Sequence, residues 1–260
     1  NTFGATTVAQ DDYELPELPA GEQDDVTRAI GRNVAELVED GDTLQLGIGA
    51  IPDAVLASLD GRRDLGIHTE MFSDGVMRLV EAGVVTGERK PIHRGKVVTS
   101  FLMGSRELYR WVSNNPVVEM HPSDYTNDPV IVAQHDHIVA VNSAIAVDLT
   151  GQVVSDSIGG RIYSGIGGQV DFIRGASRAE HGRPVIAIPS TAKAGEVYPY
   201  TKVTGNLIVP VDATFQAEKL SSVGGYVSVR EGATWKAEKL STVGGYVSVE
   251  KGATFQAEKL

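Results

Sequence analysis

Thr43-Leu44-Gln45-Leu46-Gly47-Ile48-Gly49-Ala50-Ile51-Pro52-Asp53-Ala54-Val55-Leu56 reads as a strand, a tight turn and a helix in immediate succession. Thr43 to Leu46 is short and suited to extended backbone. Gly47-Ile48-Gly49 breaks it. Pro52 suits the first turn of a helix, where its missing N–H has no partner to lose, and Ala54, Val55, Leu56 and Leu59 continue that helix. The same pattern returns along the chain. Leu65 to His68 reads as a strand ending at Thr69-Glu70, and Asp74 to Ala82 as a helix. Val97 to Leu102 is a strand and Ser105 to Ser113 a helix, followed by strands at Ile138 to Asn142, Ala144 to Asp148 and Val185 to Ile188. Upstream, Val26, Ile30, Val34, Leu37 and Val38 keep helical spacing behind Asp24 and Asp25, and Gly41 ends that helix. Strands alternating with short helices predict an α/β fold with a parallel sheet. Residues 1–22 are polar and hold Pro16 and Pro19, which predicts an extended arm.

The last sixty residues follow another rule. The octapeptide Ala213 to Leu220 returns as Ala233 to Leu240, with Trp235 and Lys236 exchanged in, and again unchanged as Ala253 to Leu260. Val223 to Val229 returns as Val243 to Val249, so the period is 20 residues. A weaker copy, Val203, Gly205, Leu207 and Val209, places the start of the array near residue 200. Each unit offers one alternating stretch, such as Tyr226 to Val229, and predicts one strand per repeat. Such a unit cannot bury its apolar face alone, so the units are expected to stack as a short β-rich solenoid. Leu220, Val223, Val227 and Val229 are its expected core, and Glu218-Lys219 its solvated rim. The array resembles short repeats of some bacterial and phage-associated proteins. The expected division is a 1–22 arm, a 23–199 α/β domain and a 200–260 repeat array.

Charge separates the two segments as well. The chain of 260 residues carries a net −11, while residues 201–260 hold seven Lys/Arg against six Asp/Glu. The acid excess lies in the first 200 residues, which argues against a nucleic-acid partner. Cys is absent, which removes thiolate metal sites and a Cys nucleophile. No apolar run is long enough to span a membrane. The opening Asn1-Thr2-Phe3-Gly4 carries no secretory leader pattern, so the expected location is cytoplasmic.

Three segments can carry chemistry. Gly47-Ile48-Gly49, between a strand and a helix, presents backbone N–H groups suited to an anion or an oxyanion. It lacks the third glycine of a dinucleotide fingerprint and the Gly-Lys-Ser/Thr of a P-loop. Glu70 stands at the carboxyl end of a strand, where open α/β sheets bind ligands. Ser157 to Gln169 holds a run of glycines, expected where backbone approaches a ligand or φ is positive. His135 and His137 are two apart and suit one strand face, but no third ligand follows at supportive spacing, so no metal is expected. No Gly-x-Ser-x-Gly elbow is present.

These segments, taken together, carry a resemblance. Gln45 to Val55, Gly66-Ile67-His68-Thr69-Glu70-Met71-Phe72-Ser73-Asp74-Gly75 and Tyr163-Ser164-Gly165-Ile166-Gly167-Gly168-Gln169-Val170-Asp171-Phe172 resemble the acetyl-CoA hydrolase/transferase family, most closely its 4-hydroxybutyrate CoA-transferases. Phe101 to Ser105 and Pro189 to Lys193 fit the same pattern, and the resemblance covers about residues 23–194 and stops after Lys193. It implies a sheet of the CoA-transferase type, forming the C-terminal of two α/β halves. The N-terminal half is absent from these residues, and a homo-oligomer is a possible assembly. Glu70 matches the family's nucleophile. Gly47, Ile48, Gly49, Ala50 and Ile51 on one side, and Gly165, Gly167 and Gly168 on the other, match its oxyanion and CoA contacts. Asn142 and Lys193 are implied as further CoA contacts. Coenzyme A would be a substrate rather than a resident cofactor, exchanged between an acyl-CoA and a short carboxylate. The alternatives are an acyl-CoA hydrolase and a non-catalytic chimeric scaffold whose solenoid is an interaction module.

Overall fold

The computed structural model describes residues 13–19, 21–147, 151–158, 161–189 and 227–257, with the short strands at 202–203, 207–209, 214–216 and 222–223. In chain order the first elements are α1 (Asp25–Ala35), β1 (Thr43–Leu46), α2 (Ala50–Leu56), β2 (Gly66–His68), β3 (Met71–Phe72) and α3 (Asp74–Glu81). Next come β4 (Val97–Thr99), β5 (Phe101–Leu102), α4 (Arg106–Val112), β6 (Val118–Met120), α5 (Ser123–Thr126), α6 (Pro129–Val132) and β7 (Ile138–Asn142). They are followed by β8 (Ala146–Val147), β9 (Val153–Val154), β10 (Ser157–Ile158), β11 (Arg161–Ile162), α7 (Gln169–Ala176) and β12 (Arg183–Ile186). By contact the chain divides into two units, Asn1–Ser143 with Gly167–Ala187, and Ala144–Ile166 with Ile188–Leu260.

The first unit is built on one six-stranded sheet of order β12-β7-β1-β2-β4-β6, with every pair parallel. Its strands alternate. Val139 and Val141 join Leu44, Leu46, Ile67 and Val97 in a core with α1, α2 and α3, whereas Ile138 and Ala140 join Val132, Phe172 and Ala176 on the opposite face. Helices thus cover both faces, as a parallel sheet requires. α1 starts where Asp24 accepts a hydrogen bond from the Thr27 N–H at 2.7 Å, which satisfies one of the free donors of a helix start.

The β1–turn–α2 reading holds, and the α/β parallel sheet is found. Other boundaries move. The strand expected over Val97 to Leu102 is interrupted at Ser100, and β4 and β5 belong to different ladders. β12 begins at Arg183 and so contains Pro184. It stands at the end of the sheet order, where a missing N–H breaks no ladder. The helix Gln169–Ala176 grows out of the glycine-rich stretch and was not foreseen. The described part of the arm, residues 13–19, has no regular structure and lies along α4: Tyr109 donates to the Pro16 carbonyl at 2.8 Å, and Arg106 pairs with Glu14 and Glu17.

In the second unit the 20-residue period becomes three parallel three-stranded ladders. Their rows are 202–203, 222–223 and 242–243; 207–209, 227–229 and 247–249; and 214–216, 234–236 and 254–256. Each repeat holds three short strands rather than one, because Thr234-Trp235-Lys236 pairs only with its own copies. Val223, Val227, Val229, Ala233, Trp235, Ala237 and Leu240 form the core, and Glu238-Lys239 is exposed. Leu220 and Glu218-Lys219 lie outside the described residues. No described helix is long and apolar enough to cross a membrane.

Candidate active site

Parallel strands place their carboxyl ends along one edge, and in the first unit that edge collects the candidates. Leu46 is in register with Val141, so Gly47 follows beside Asn142. Leu44 is in register with Ile67, which brings Thr69-Glu70 to the level of the turn. The Thr69 hydroxyl donates to the Leu46 carbonyl at 2.7 Å and ties the two strand ends together.

Glu70 occupies an irregularity between two ladders. β2 pairs with β4 before it, and β3 pairs with β5 after it. The register is unchanged across the break, with Thr69-Glu70 opposite Thr99-Ser100, and the Ser100 and Phe101 N–H groups both donate to the Glu70 carbonyl, at 2.9 and 3.1 Å. The Thr99 hydroxyl adds a third bond at 3.1 Å. Three donors fix the backbone that carries the Glu70 side chain.

The side chain reaches the start of α7. A Cβ built on Gly168, the residue that caps α7, would lie 2.6 Å from Glu70 Oε2 and 2.6 Å from Asn127 Nδ2. Glu70 and Asn127 therefore flank one spot that only glycine leaves clear. Among the described residues no side chain hydrogen-bonds or ion-pairs with the Glu70 carboxylate.

Asn127 was missed in the sequence, where it is one polar residue in a loop. The structure orients it through buried groups. The His68 Nε2–H donates to the Thr126 carbonyl at 2.9 Å. The Thr126 hydroxyl meets the Ser100 hydroxyl at 2.5 Å and donates to Asn127 Oδ1 at 3.0 Å. With its oxygen held, the Asn127 amide turns its nitrogen toward Gly168. Burial lowers the pKa of His68 to about 4, so its ring is neutral.

The other candidates divide. Gly49 has φ +110 and caps α2, a conformation that L side chains rarely adopt, and a Cβ on Gly47 or Gly49 would meet nothing within 4 Å. The turn is open. Ile48 and Gly49 line a cavity of about 220 Å³ with Leu18, Pro19, Ser73 and Met103, which Glu70 does not line. Ala50 and Ile51 are half-buried in the first turn of α2, and Ile51 packs against the core. Asn142 donates to Gln45 Oε1 at 2.8 Å, so a buried neighbour anchors its amide. Gly165 and Gly167 do not have positive φ, and a Cβ on either would meet no protein atom within 4 Å, which leaves their backbone open to a ligand; Gly165 belongs to the second unit. Lys193 lies outside the described residues.

His135 and His137 do not share a face. His135 is fully buried against His68, with ring centroids 4.6 Å apart, while His137 lies 4.7 Å from His181. Lys90, also missed, is buried and donates to the carbonyls of Ile67 and Lys96, both at 2.8 Å. Burial lowers its pKa to about 7.

Comparison with known proteins bears on this edge. Residues 104–213 match the Acetyl-CoA hydrolase/transferase C-terminal domain. That match runs past Lys193, where the resemblance was expected to stop, and into the first weak repeat. A 4-hydroxybutyrate coenzyme A transferase of Clostridium kluyveri is 54% identical over 190 residues, which are 73% of this chain and 44% of that protein. A succinyl-CoA:acetate/propanoyl-CoA:succinate CoA transferase of Fasciola hepatica is 51% identical over 201 residues, 75% of this chain and 41% of that protein. The crystal structure of a 4-hydroxybutyrate CoA-transferase from Porphyromonas gingivalis superposes with a TM-score of 0.62 at 50% identity, over 70% of this chain and 43% of that one. The chain thus spans less than half the length of the relatives it matches. Those relatives are named CoA transferases.

Proposed function

We propose that this chain carries the nucleophile-bearing half of a CoA-transferase that moves coenzyme A from a short acyl-CoA to a carboxylate. The observation that carries the reading is the placement of Glu70 at the carboxyl edge of the sheet, between β2 and β3, its oxygen directed at the glycine that caps α7. A carboxylate attacks a thioester without a base to activate it. The Glu70 oxygen bonds to the acyl carbon, the C–S bond breaks, and CoA leaves as thiolate from an acyl-glutamyl anhydride. The thiolate then attacks the glutamyl carbonyl, expelling the first carboxylate and leaving a glutamyl-CoA thioester. An incoming carboxylate reverses both steps and restores Glu70.

Each addition develops an oxyanion, which fixed N–H donors stabilise. We assign the donors to the Asn127 amide and to the N–H groups of the open turn Gly47 to Ile51. Asn142 and Lys193 are assigned to CoA contact, and CoA is a substrate rather than a resident cofactor. We further infer that the array from residue 200 stacks as a short solenoid, a reading supported by the parallel pairing of copies 20 residues apart.

The test is intact-protein and peptide mass spectrometry of the full chain after incubation with acetyl-CoA. The expected product is a CoA adduct on the peptide that holds Glu70, absent from Glu70→Gln. An adduct of equal yield in Glu70→Gln removes Glu70 from the chemistry.

A further inference from the structure

Away from Glu70, two histidines and a carboxylate converge at the last strand of the sheet. His93 Nδ1 lies 2.6 Å from Glu119 Oε2, and His121 Nε2 lies 3.4 Å from the same oxygen. One ligand atom from each of the three residues lies within 4.8 Å of the others. The backbone explains the convergence. Glu119 is on β6 and His121 follows two residues later, so an extended chain directs both to one side. β6 ends the sheet order, which leaves that side open to the loop before β4. This loop supplies His93 with a φ of +50, one of three non-glycine residues with positive φ among those described.

The donor set selects the ion. Two imidazoles and a carboxylate suit zinc and its neighbours, whereas calcium and magnesium take oxygen ligands. With metal–ligand distances of about 2.0–2.2 Å, tetrahedral ligands stand roughly 3.3–3.5 Å apart. The pair at 3.4 Å already has that spacing. The pair at 2.6 Å is a hydrogen bond that an ion replaces, with the imidazole proton moving from Nδ1 to Nε2 through solvent and the pair opening by under an ångström. An outer partner is also in place. His93 Nε2 lies 2.6 Å from the Tyr125 hydroxyl, so with Nδ1 on the metal the Nε2–H donates to Tyr125. Metal-bound histidines are commonly held this way. The Tyr125 ring stacks on His121, with centroids 4.7 Å apart. The side chains of His93, Glu119 and His121 are 21%, 33% and 28% exposed, which admits an ion and leaves room for water.

We propose that His93, Glu119 and His121 form a binding site for one divalent transition-metal ion of the zinc class, with water as the fourth ligand and Tyr125 as outer partner. The ion ties the loop before β4 to β6 and, through Tyr125, to α5, whose following residue is Asn127. The site stands independently of the CoA-transferase reading.

The test is calorimetric titration of the full chain with zinc chloride, with cobalt(II) as the optical probe. The expected result is one zinc per chain with micromolar or tighter affinity, and a visible cobalt spectrum that zinc abolishes. Glu119→Gln and His121→Gln each weaken zinc binding at least about tenfold, and Tyr125→Phe weakens it about tenfold. His137→Gln, on the separate His137–His181 pair, leaves it unchanged. Circular dichroism confirms that each variant is folded, and the graded loss in Tyr125→Phe serves as readout where a ligand variant is not. Millimolar or weaker zinc binding overturns the proposal, as does affinity unchanged in Tyr125→Phe and in the folded ligand variants.

Discussion

The two units use the same strand physics and carry different information. In the sheet unit, neighbouring parallel strands come from distant and dissimilar segments: β1 lies between β2 and β7, and Gly47, Glu70 and Asn142 end up on one edge. In the repeat unit each strand lies beside its own copy. Val227 faces Val247, and Trp235 faces Phe255 with ring centroids 4.9 Å apart. A ladder of copies buries apolar side chains economically but repeats one surface, whereas a reacting site needs different groups at adjacent positions. The proposed nucleophile Glu70 accordingly lies in the first unit, and the repeated strands of the second carry a packed core.

The strongest way to break this comparison is at Glu70. Glu70→Gln is expected to lower CoA transfer by roughly 10⁴ or more, the scale on which loss of a nucleophile is felt, with an unchanged circular dichroism spectrum. Retention of most of the wild-type rate would dissolve the contrast. Trp235→Ala makes the reciprocal test. The side chain is fully buried in the repeat core, and its removal is expected to cost about 3–5 kcal/mol. The readout is urea unfolding followed by backbone circular dichroism, with transfer measured in the folded range and expected to stay at the wild-type rate.

A third prediction separates the units by pH. His68 and His135 are buried in the sheet unit, and burial lowers their pKa values to about 4 and about 2. Unfolded, both take protons near pH 6.5. The unfolded state then binds protons that the folded state does not, so stability is complete above pH 6.5 and declines as the pH falls toward 4. At pH 5 the expected loss is about 2 kcal/mol for each histidine. Residues 201–260 contain no histidine, and their unfolding is expected to be nearly flat from pH 7 to 5. With two Trp in the chain, Trp111 and Trp235, the variants Trp235→Phe and Trp111→Phe leave one fluorescent reporter in each unit. Equal pH dependence at both reporters would refute the assignment.

The smallest effect sharpens the site itself. Gly168→Ala places a methyl group 2.6 Å from both Glu70 Oε2 and Asn127 Nδ2. Displacing a reacting carboxylate by about an ångström costs on the order of 10² in rate. Gly167→Ala meets nothing within 4 Å and is expected to leave the rate unchanged. Steady-state kinetics of the pair decide whether the glycine run serves closeness at one position only.

Local patterns account for much of what was legible. β1 followed by Gly-x-Gly and Pro52 is a short-range signal, because turn, helix start and strand lie within fourteen residues. The 20-residue period likewise fixes which repeat residues lie side by side. The helix Gln169–Ala176 was hidden because the glycines before it mask its start; Phe172 and Ala176 hold it by packing against Ile138 and Ala140.

What the sequence alone determined was the kind of element at each place, the period of the array and the position of Glu70 at a strand end, all set by neighbours a few residues away. Strand order, the break between two ladders at Glu70, and the meetings of Glu70 with Gly168 and of His93 with Glu119 were decided only in the tertiary structure. Residues from 26 to 98 positions apart meet there. Such contacts follow from sheet register and from which helix covers which face, and no local spacing encodes either.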